Sequence, residues 1–250
     1  METERPKVMS IAGLDPSGGA GLLADIKTFE QHKVIGYGCC TAITVQTASS
    51  FLSVSWLRTG EILAQAKPLL ATGDIGYCKI GIMPGVEATL ELVQELTRLQ
   101  PGIRLILDPV VKSSTGFDFH GQSPFAAWKK LLRSVYLVTP NYEEAKLMAG
   151  CEDGELAALQ LSAHCNVLLK GGHRTRLSGH DTLYAQGLEY TISPGVAAVT
   201  AKHGSGCILS AAITACLANG QQLTDACSNG KRYTEKVLAS HSSLLGYHHL

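Results

Sequence analysis

No C-x-x-C spacing occurs in this chain, although its eight cysteines stand at Cys39, Cys40, Cys78, Cys151, Cys165, Cys207, Cys216 and Cys227. That absence argues against structural zinc. There is no excess of charge of either sign, with 21 basic and 21 acidic residues, and no long basic run. Nucleic acid is therefore not expected as a partner. No apolar stretch reaches the roughly 18 residues that cross a bilayer, so no membrane association is expected. The amino terminus, Met1-Glu2-Thr3-Glu4-Arg5-Pro6-Lys7, is charged and lacks the pattern of a signal peptide. Internal repeats, low-complexity tracts and linkers are also missing. What remains is the expectation of a cytoplasmic protein with reduced thiols, built as a single domain over residues 1–250. With 45% apolar residues, it has the material for a sizeable core.

The pattern along the chain alternates strands and helices. Val8–Ala12, Cys39–Val45, Cys78–Ile82, Arg104–Leu107, Val135–Val138 and Asn166–Leu169 read as strands. Leu22, Leu23, Ile26 and Phe29 have helical spacing, as do Val86, Leu90, Val93 and Leu96, with Pro84 suited to the first turn of that second helix. Ile62–Leu70 is a further helix, and Thr182–Ala185 with Leu188–Ile192 reads as a hairpin turning at Gln186-Gly187. Helices near Ser205–Ala218 and Thr224–Ser240 close the chain. The expected fold is α/β and doubly wound: three layers, a mostly parallel central sheet, and helices on both faces.

In that architecture the polar motifs share one location. Asp15, Asp108, Asn141 and Lys170 each follow the carboxyl end of a strand, the edge where open parallel sheets bind ligands. Alone, each also reads as a turn former or helix cap. His203-Gly204-Ser205-Gly206-Cys207 feeds a glycine turn into an apolar helix. Backbone N–H groups at a helix start lack partners and carry partial positive charge, so Gly204, Ser205 and Gly206 form a candidate phosphate cradle. The same field favours a thiolate, making Cys207 a candidate base or nucleophile. The competing reading is a helix cap with a small apolar cysteine. The loop Ser17-Gly18-Gly19-Ala20-Gly21 fits neither G-x-G-x-x-G nor a Walker A loop. Its glycines suit close approach of a small substrate, and Asp25, one turn on, is either a contact to it or a solvated first-turn acid.

These residues carry a resemblance. The Ile11-Ala12-Gly13 strand end, DPSGGAG at Asp15–Gly21, ADIKTF at Ala24–Phe29, Gln46, Lys79-Ile80-Gly81, Asp108-Pro109-Val110, Thr139-Pro140-Asn141 with Glu144, Lys170-Gly171-Gly172-His173 and the His203–Cys207 motif run through nearly the whole chain. Together they resemble the hydroxymethylpyrimidine/phosphomethylpyrimidine kinases of thiamine biosynthesis, in the ribokinase-like superfamily. The resemblance implies transfer of phosphoryl groups from ATP, with Mg2+, to 4-amino-5-hydroxymethyl-2-methylpyrimidine and then to its monophosphate. It implies Cys207 as the base for the substrate hydroxyl, with Gly204, Ser205 and Gly206 holding the developing charge. Gly13, Asp15, Ala20, Asp25, Gln46 and Ile82 become substrate-binding candidates, the planar amide of Gln46 suiting an aminopyrimidine edge. Asp108, Asn141, Lys170 and Gly172 become nucleotide-side candidates. Glu144, through water, and Asp108 become the magnesium candidates. Relatives are dimers, and Phe51, Leu52 and Trp56 are apolar candidates for such an interface.

The chain departs from the family pattern in places. Val111 and Ile82 stand where methionines are common, and the segment from Asn141 to Lys170 is short, pointing to a trimmed surface helix. The competing enzyme reading is pyridoxal kinase, against which Gln46 argues because pyridoxal lacks the amine edge. A non-catalytic small-molecule binder on the same fold is the reading from another class.

Overall fold

A computed structural model of the chain describes residues 4–112, 119, 123–173, 179–196 and 200–249. The first half runs β1 (Lys7–Leu14), α1 (Gly21–Gln31), β2 (Ile35–Gln46), β3 (Phe51–Trp56), α2 (Thr59–Leu70), β4 (Ile75–Ile80) and α3 (Val86–Leu99). The second runs β5 (Arg104–Leu107), α4 (Phe125–Leu132), β6 (Leu137–Val138), α5 (Tyr142–Ala149), α6 (Gly154–Ser162), β7 (Asn166–Leu169), β8 (Asp181–Ala185), β9 (Leu188–Ile192), α7 (Ser205–Ala218) and α8 (Leu223–Ala239). The strands form one nine-stranded sheet in the order β3-β2-β1-β4-β5-β6-β7-β8-β9. From β2 to β7 the pairing is parallel; β3, β8 and β9 are antiparallel additions at the two ends.

Side-chain alternation divides the interior into layers. Met9 and Ile11 of β1, Cys78 and Ile80 of β4, and Leu105 and Leu107 of β5 face the core shared with α2 to α6. Val8, Ile106, Leu137 and Leu168 face the opposite layer, against α7 and its neighbours. Helix α7 packs on the sheet, on α1 and on α8. Ile208 through Leu217 are accordingly all buried, as an all-round apolar helix requires. The α1–α7 pair is braced at its far end, where Asn219 Nδ2 donates to His32 O at 2.9 Å. This three-layer plan is the one expected from the sequence.

Several boundaries differ from those expectations for local reasons. β4 stops at Ile80, and Pro84 lies before the helix rather than in it, because Gly85 takes the N-cap position at φ 109°. β6 is only Leu137–Val138, since Val135 N–H closes the turn after α4 on Leu132 O. The β8–β9 hairpin turns at Gln186 and Gly187, both at positive φ (54° and 75°), the geometry that two-residue hairpins favour. The Asn141–Lys170 segment holds two short helices, α5 and α6.

Candidate active site

The switch in winding direction falls at β1, whose neighbours are β2 on one side and β4 on the other. Loops leaving the carboxyl ends of the parallel strands converge there. Two of them meet backbone to backbone. Gly204 sits at φ 80° as N-cap of α7. A Cβ at that position would collide with Gly19 O and lie 2.7 Å from the Ala20 Cα. Gly21, at φ 55°, similarly leaves no room for a side chain beside Gly13 O. Glycine is therefore required at both positions, for conformation and for space. The result is that the amino termini of α1 and α7 lie side by side. The first helical bond of α7 is Ile208 N–H to Gly204 O at 3.0 Å, so the N–H groups of Ser205, Gly206 and Cys207 precede the helix's own bonding. The backbone of Gly21 in α1 acts on the Cys207 thiol and favours its ionisation.

Cys207 corrects one expectation. The helix terminus was expected to favour the thiolate, but burial dominates and pushes the thiol up to about 11, against the pull of Lys79 and Gly21 N–H. Asp15 is a hub of hydrogen bonds. Its carboxylate accepts from Ser17 N–H (2.8 Å), Ser17 Oγ (2.8 Å), Ala20 N–H (2.8 Å) and His203 Nε2 (2.9 Å). It organises the glycine loop and ties it to the His203–Cys207 turn; three of the four bonds fall on Oδ2 and one on Oδ1. Burial opposes its charge, yet the His203, Ser17 and Ala20 bonds prevail and lower its pKa to about 2. A final strap comes from the C-terminal segment: His203 N–H donates to Leu244 O at 3.0 Å, and Lys202 Nζ donates to Ser243 O at 2.7 Å and also to His241 O.

Asp25 is not a solvated acid; it is wholly enclosed at 0% exposure. Its Oδ2 accepts from Lys79 Nζ at 2.7 Å and Ser10 Oγ at 2.5 Å. Its Oδ1 is buried with no hydrogen-bond partner among the described residues. Breaking such a pair strands a buried charge, a cost of about 3–5 kcal/mol. Lys79 had no role in the sequence reading; the available signal was a lysine inside the buried strand Tyr77-Cys78-Lys79-Ile80, which demands a counter-charge. On the rim, Gln46 is half-buried at the end of β2 and donates to Thr44 Oγ1 at 2.9 Å. Gly13 lies directly under the Ile82 side chain, so these two share one wall.

The other side of the α7 terminus is a cleft of about 400 Å³. Lys170, Gly172, Ser205, Gly206 and Leu209 line its inner end. Lys170 Nζ lies 3.1 Å from Asp108 Oδ1 and 3.6 Å from Glu144 Oε2. Burial works against the Lys170 charge, and the two carboxylates outweigh it and keep the amine protonated. Burial raises the Glu144 carboxyl above its ordinary range against the pull of Lys170. Asn141 and Glu144 also form a reciprocal cap on α5: Glu144 N–H donates to Asn141 Oδ1 (2.8 Å) and Asn141 N–H to Glu144 Oε2 (2.7 Å). The Asn141 Oδ1 is thus engaged in capping α5. At the outer end, Lys231 bridges Asp181 (3.2 Å) and Glu235 (3.3 Å), a network the sequence reading missed and signalled only by the i,i+4 spacing of Lys231 and Glu235.

Among the described residues no group of three or more His, Cys, Asp or Glu is arranged to hold a metal ion. The donor set is two carboxylates around one ammonium. That suits magnesium held through water and substrate phosphates, and does not suit a protein-caged metal. No helix of the described residues is long and apolar enough to cross a membrane.

Comparison with known proteins gives a consistent result. The family described as phosphomethylpyrimidine kinase matches residues 15–250. The hydroxymethylpyrimidine/phosphomethylpyrimidine kinase of Rhizobium meliloti is 33% identical, over 93% of this chain and 90% of that protein. Its counterpart in Haemophilus influenzae is 31% identical, over 97% of this chain and 94% of that one. Among solved structures, phosphomethylpyrimidine kinase from Clostridium difficile superposes with a TM-score of 0.76 at 30% identity, covering 92% of this chain and 98% of that chain. Pyridoxal kinase from Staphylococcus aureus in complex with AMP-PCP and pyridoxal superposes with a TM-score of 0.82 at 26% identity, covering 97% and 92%. The fold is ribokinase-like.

Proposed function

The chain belongs to the phosphomethylpyrimidine kinase family, and from that premise we propose that it transfers the γ-phosphoryl group of ATP to 4-amino-5-hydroxymethyl-2-methylpyrimidine and then to its monophosphate, for thiamine biosynthesis. The observation that carries this reading is the position of the α7 amino terminus. Ser205 and Gly206 line the cleft on one side. Cys207, in the same turn, meets the amino terminus of α1 on the other. A phosphoryl group passing from one compartment to the other crosses the unpaired N–H groups between them.

In this reading ATP occupies the 400 Å³ cleft, with its phosphates toward Lys170, Gly206 and the cradle. Asp108 and Glu144 are the residues that would hold magnesium, through water, and the ion would supply charge neutralisation to the phosphates. Lys170, fixed between those carboxylates, adds a point charge on the nucleotide side. The pyrimidine lies against the Gly13–Ile82 wall with its amine and ring nitrogen toward Gln46. Cys207 takes the hydroxymethyl proton as its thiolate. That form is a minor species at neutral pH for a thiol of about 11, and a correspondingly strong base. Little nucleophile activation is needed, because phosphoryl transfer proceeds through a loose transition state.

All eight cysteines are free, which suits the cytoplasm. A homodimer is the proposed assembly: Ile43 (55%), Val45 (52%) and Leu52 (70%) stand exposed on the β2–β3 hairpin. Phe51 and Trp56 are instead packed edge-on against Phe119, at ring-centroid separations of 5.4 and 6.0 Å. The deciding experiment is a coupled ATP-consumption assay with the hydroxymethylpyrimidine, its monophosphate and pyridoxal side by side. Turnover of both pyrimidines supports the proposal. Turnover of pyridoxal alone makes the protein a pyridoxal kinase, and turnover of none makes it a binding protein.

A further inference from the structure

Thr44 of β2 is almost fully enclosed, at 4% exposure, and its hydroxyl stands between two groups. Its Oγ1 donates to Leu14 O at 2.8 Å, at the end of β1, where the β1–β2 register shifts between Ala12 and Leu14. A carbonyl oxygen can only accept, so the single hydroxyl proton is committed to it. Towards Gln46, Oγ1 is then an acceptor alone. The amide of Gln46 has a donating and an accepting end, and only the donating end fits: Nε2 donates to Thr44 Oγ1 at 2.9 Å. The reverse orientation would set two oxygens against each other with no proton between them, beside an enclosed residue where an unmet polar group is costly. The backbone of Gln46 is held separately. It pairs with Phe51 of β3, whose ring packs edge-on against Phe119 at 5.4 Å.

Thr44 therefore decides which way round the Gln46 amide faces. One N–H of Nε2 goes to Thr44; the other N–H and Oε1 are engaged by none of the described residues. They leave one donor beside one acceptor, in a fixed order, for a ligand. We propose that Thr44 is a positioning residue that makes Gln46 selective for a ring edge carrying an amine beside an unprotonated ring nitrogen, against an edge carrying a carbonyl beside a protonated one. The amine meets Oε1, and the ring nitrogen meets the free N–H. The carbonyl edge has the same two kinds of group in the opposite order. Matching it needs the amide turned over, which the commitment of the Thr44 proton to Leu14 O opposes. The inference rests on the reading of Gln46 as the pyrimidine contact. It goes further in naming the group that gives Gln46 its polarity and the near-isosteric ring that is turned away.

A merely structural threonine and an orienting one predict different outcomes. Calorimetry on the full chain measures the Kd of two probes: 4-amino-5-hydroxymethyl-2-methylpyrimidine, and its 4-oxo analogue with a protonated ring nitrogen. Wild type should prefer the amine by about a hundredfold or more, since two hydrogen bonds are mismatched in the analogue. Thr44→Val keeps the shape of the side chain and removes the hydroxyl, which frees the amide to turn. The preference should then fall about tenfold, with the 4-oxo analogue bound more tightly than by wild type. Thr44→Ser keeps the hydroxyl and should keep the ratio near the wild-type value. A threonine that only supports the fold would weaken both probes alike and leave the ratio unchanged. An unchanged ratio in Thr44→Val, or an equal loss of preference in Thr44→Ser, overturns the proposal. Gln46→Leu separates the two readings, because it should abolish the preference. A ratio lost in Gln46→Leu but kept in Thr44→Val overturns the orienting role alone. A ratio kept in Gln46→Leu, or a wild type that binds neither probe, overturns the Gln46 reading and this inference with it. Where Thr44→Val fails to fold, Thr44→Ala, which lacks the same hydroxyl, decides in its place.

Discussion

Replacing Asp15 by asparagine should flatten the acid limb of the protein's stability in a calculable way. The carboxylate accepts four hydrogen bonds and is 1% exposed, so solvent screening takes little from them. Its pKa is lowered from 3.8 to about 2 in the folded chain. A depressed folded value means that the unfolded chain binds the proton first as pH falls, so stability rises with pH through this window. At about 1.36 kcal/mol per pKa unit, the group contributes roughly 2 kcal/mol above pH 4 to 5, lost as the pH falls through 2. By pH 3 the linkage relation puts the loss at roughly 1 kcal/mol. Asparagine does not titrate, so the variant is less stable at neutral pH but lacks this component of the decline. Urea unfolding followed by fluorescence of the buried Trp128, at intervals from pH 6 to pH 3, gives both curves. The gap between wild type and Asp15→Asn should narrow by about 1 kcal/mol across that range. Parallel curves would refute the claim that these bonds favour the ionised form.

The remaining expectations concern the cradle and the rim. Cys207→Ala should lower kcat roughly a hundredfold or more while pyrimidine binding by calorimetry persists; near-normal turnover removes Cys207 from the base role. Gly204→Ala should destabilise the chain by at least about 2 kcal/mol, from a left-handed alanine and the contact with Gly19 and Ala20, and should lower activity as well. A melting temperature equal to wild type contradicts the tight loop contact. Gln46→Met should weaken pyrimidine binding roughly five- to tenfold with ATP binding unaffected, and equal loss for both ligands makes Gln46 structural.

The layered fold and the convergence of polar motifs were legible because apolar pattern reports burial directly: continuous runs in Arg104–Leu107, Asn166–Leu169 and Ser205–Ala218, and a one-sided helical spacing in Val86–Leu99. What escaped were elements with weak periodicity: the edge strand Phe51–Trp56, half of which faces solvent, and the eight- and nine-residue helices α4, α5 and α6. In the site, residue types pointed to loops that the fold brings together at the sheet edge, but not to who partners whom. Asp15 reads as a substrate contact, and nothing in the sequence hints that it also clamps His203 across a separation of 188 positions. Cys207 looked activated by its helix terminus, a local effect, whereas its acidity is dominated by burial among α1, β4 and β5, which is tertiary. Lys79 carried a warning in its apolar strand, but no sequence rule names Asp25 as its partner.

The bracing of α1 against α7 at both ends has a mechanical consequence. At one end the two helices are pinned by the Gly204 contact with Gly19 and Ala20, at the other by Asn219 on His32 O. Two rods held at both ends resist slipping past each other by a helical turn, so the cradle that the proposed function places under the phosphoryl group is set when the chain folds. Mutations in the loops around this pair should leave the geometry of the cradle intact.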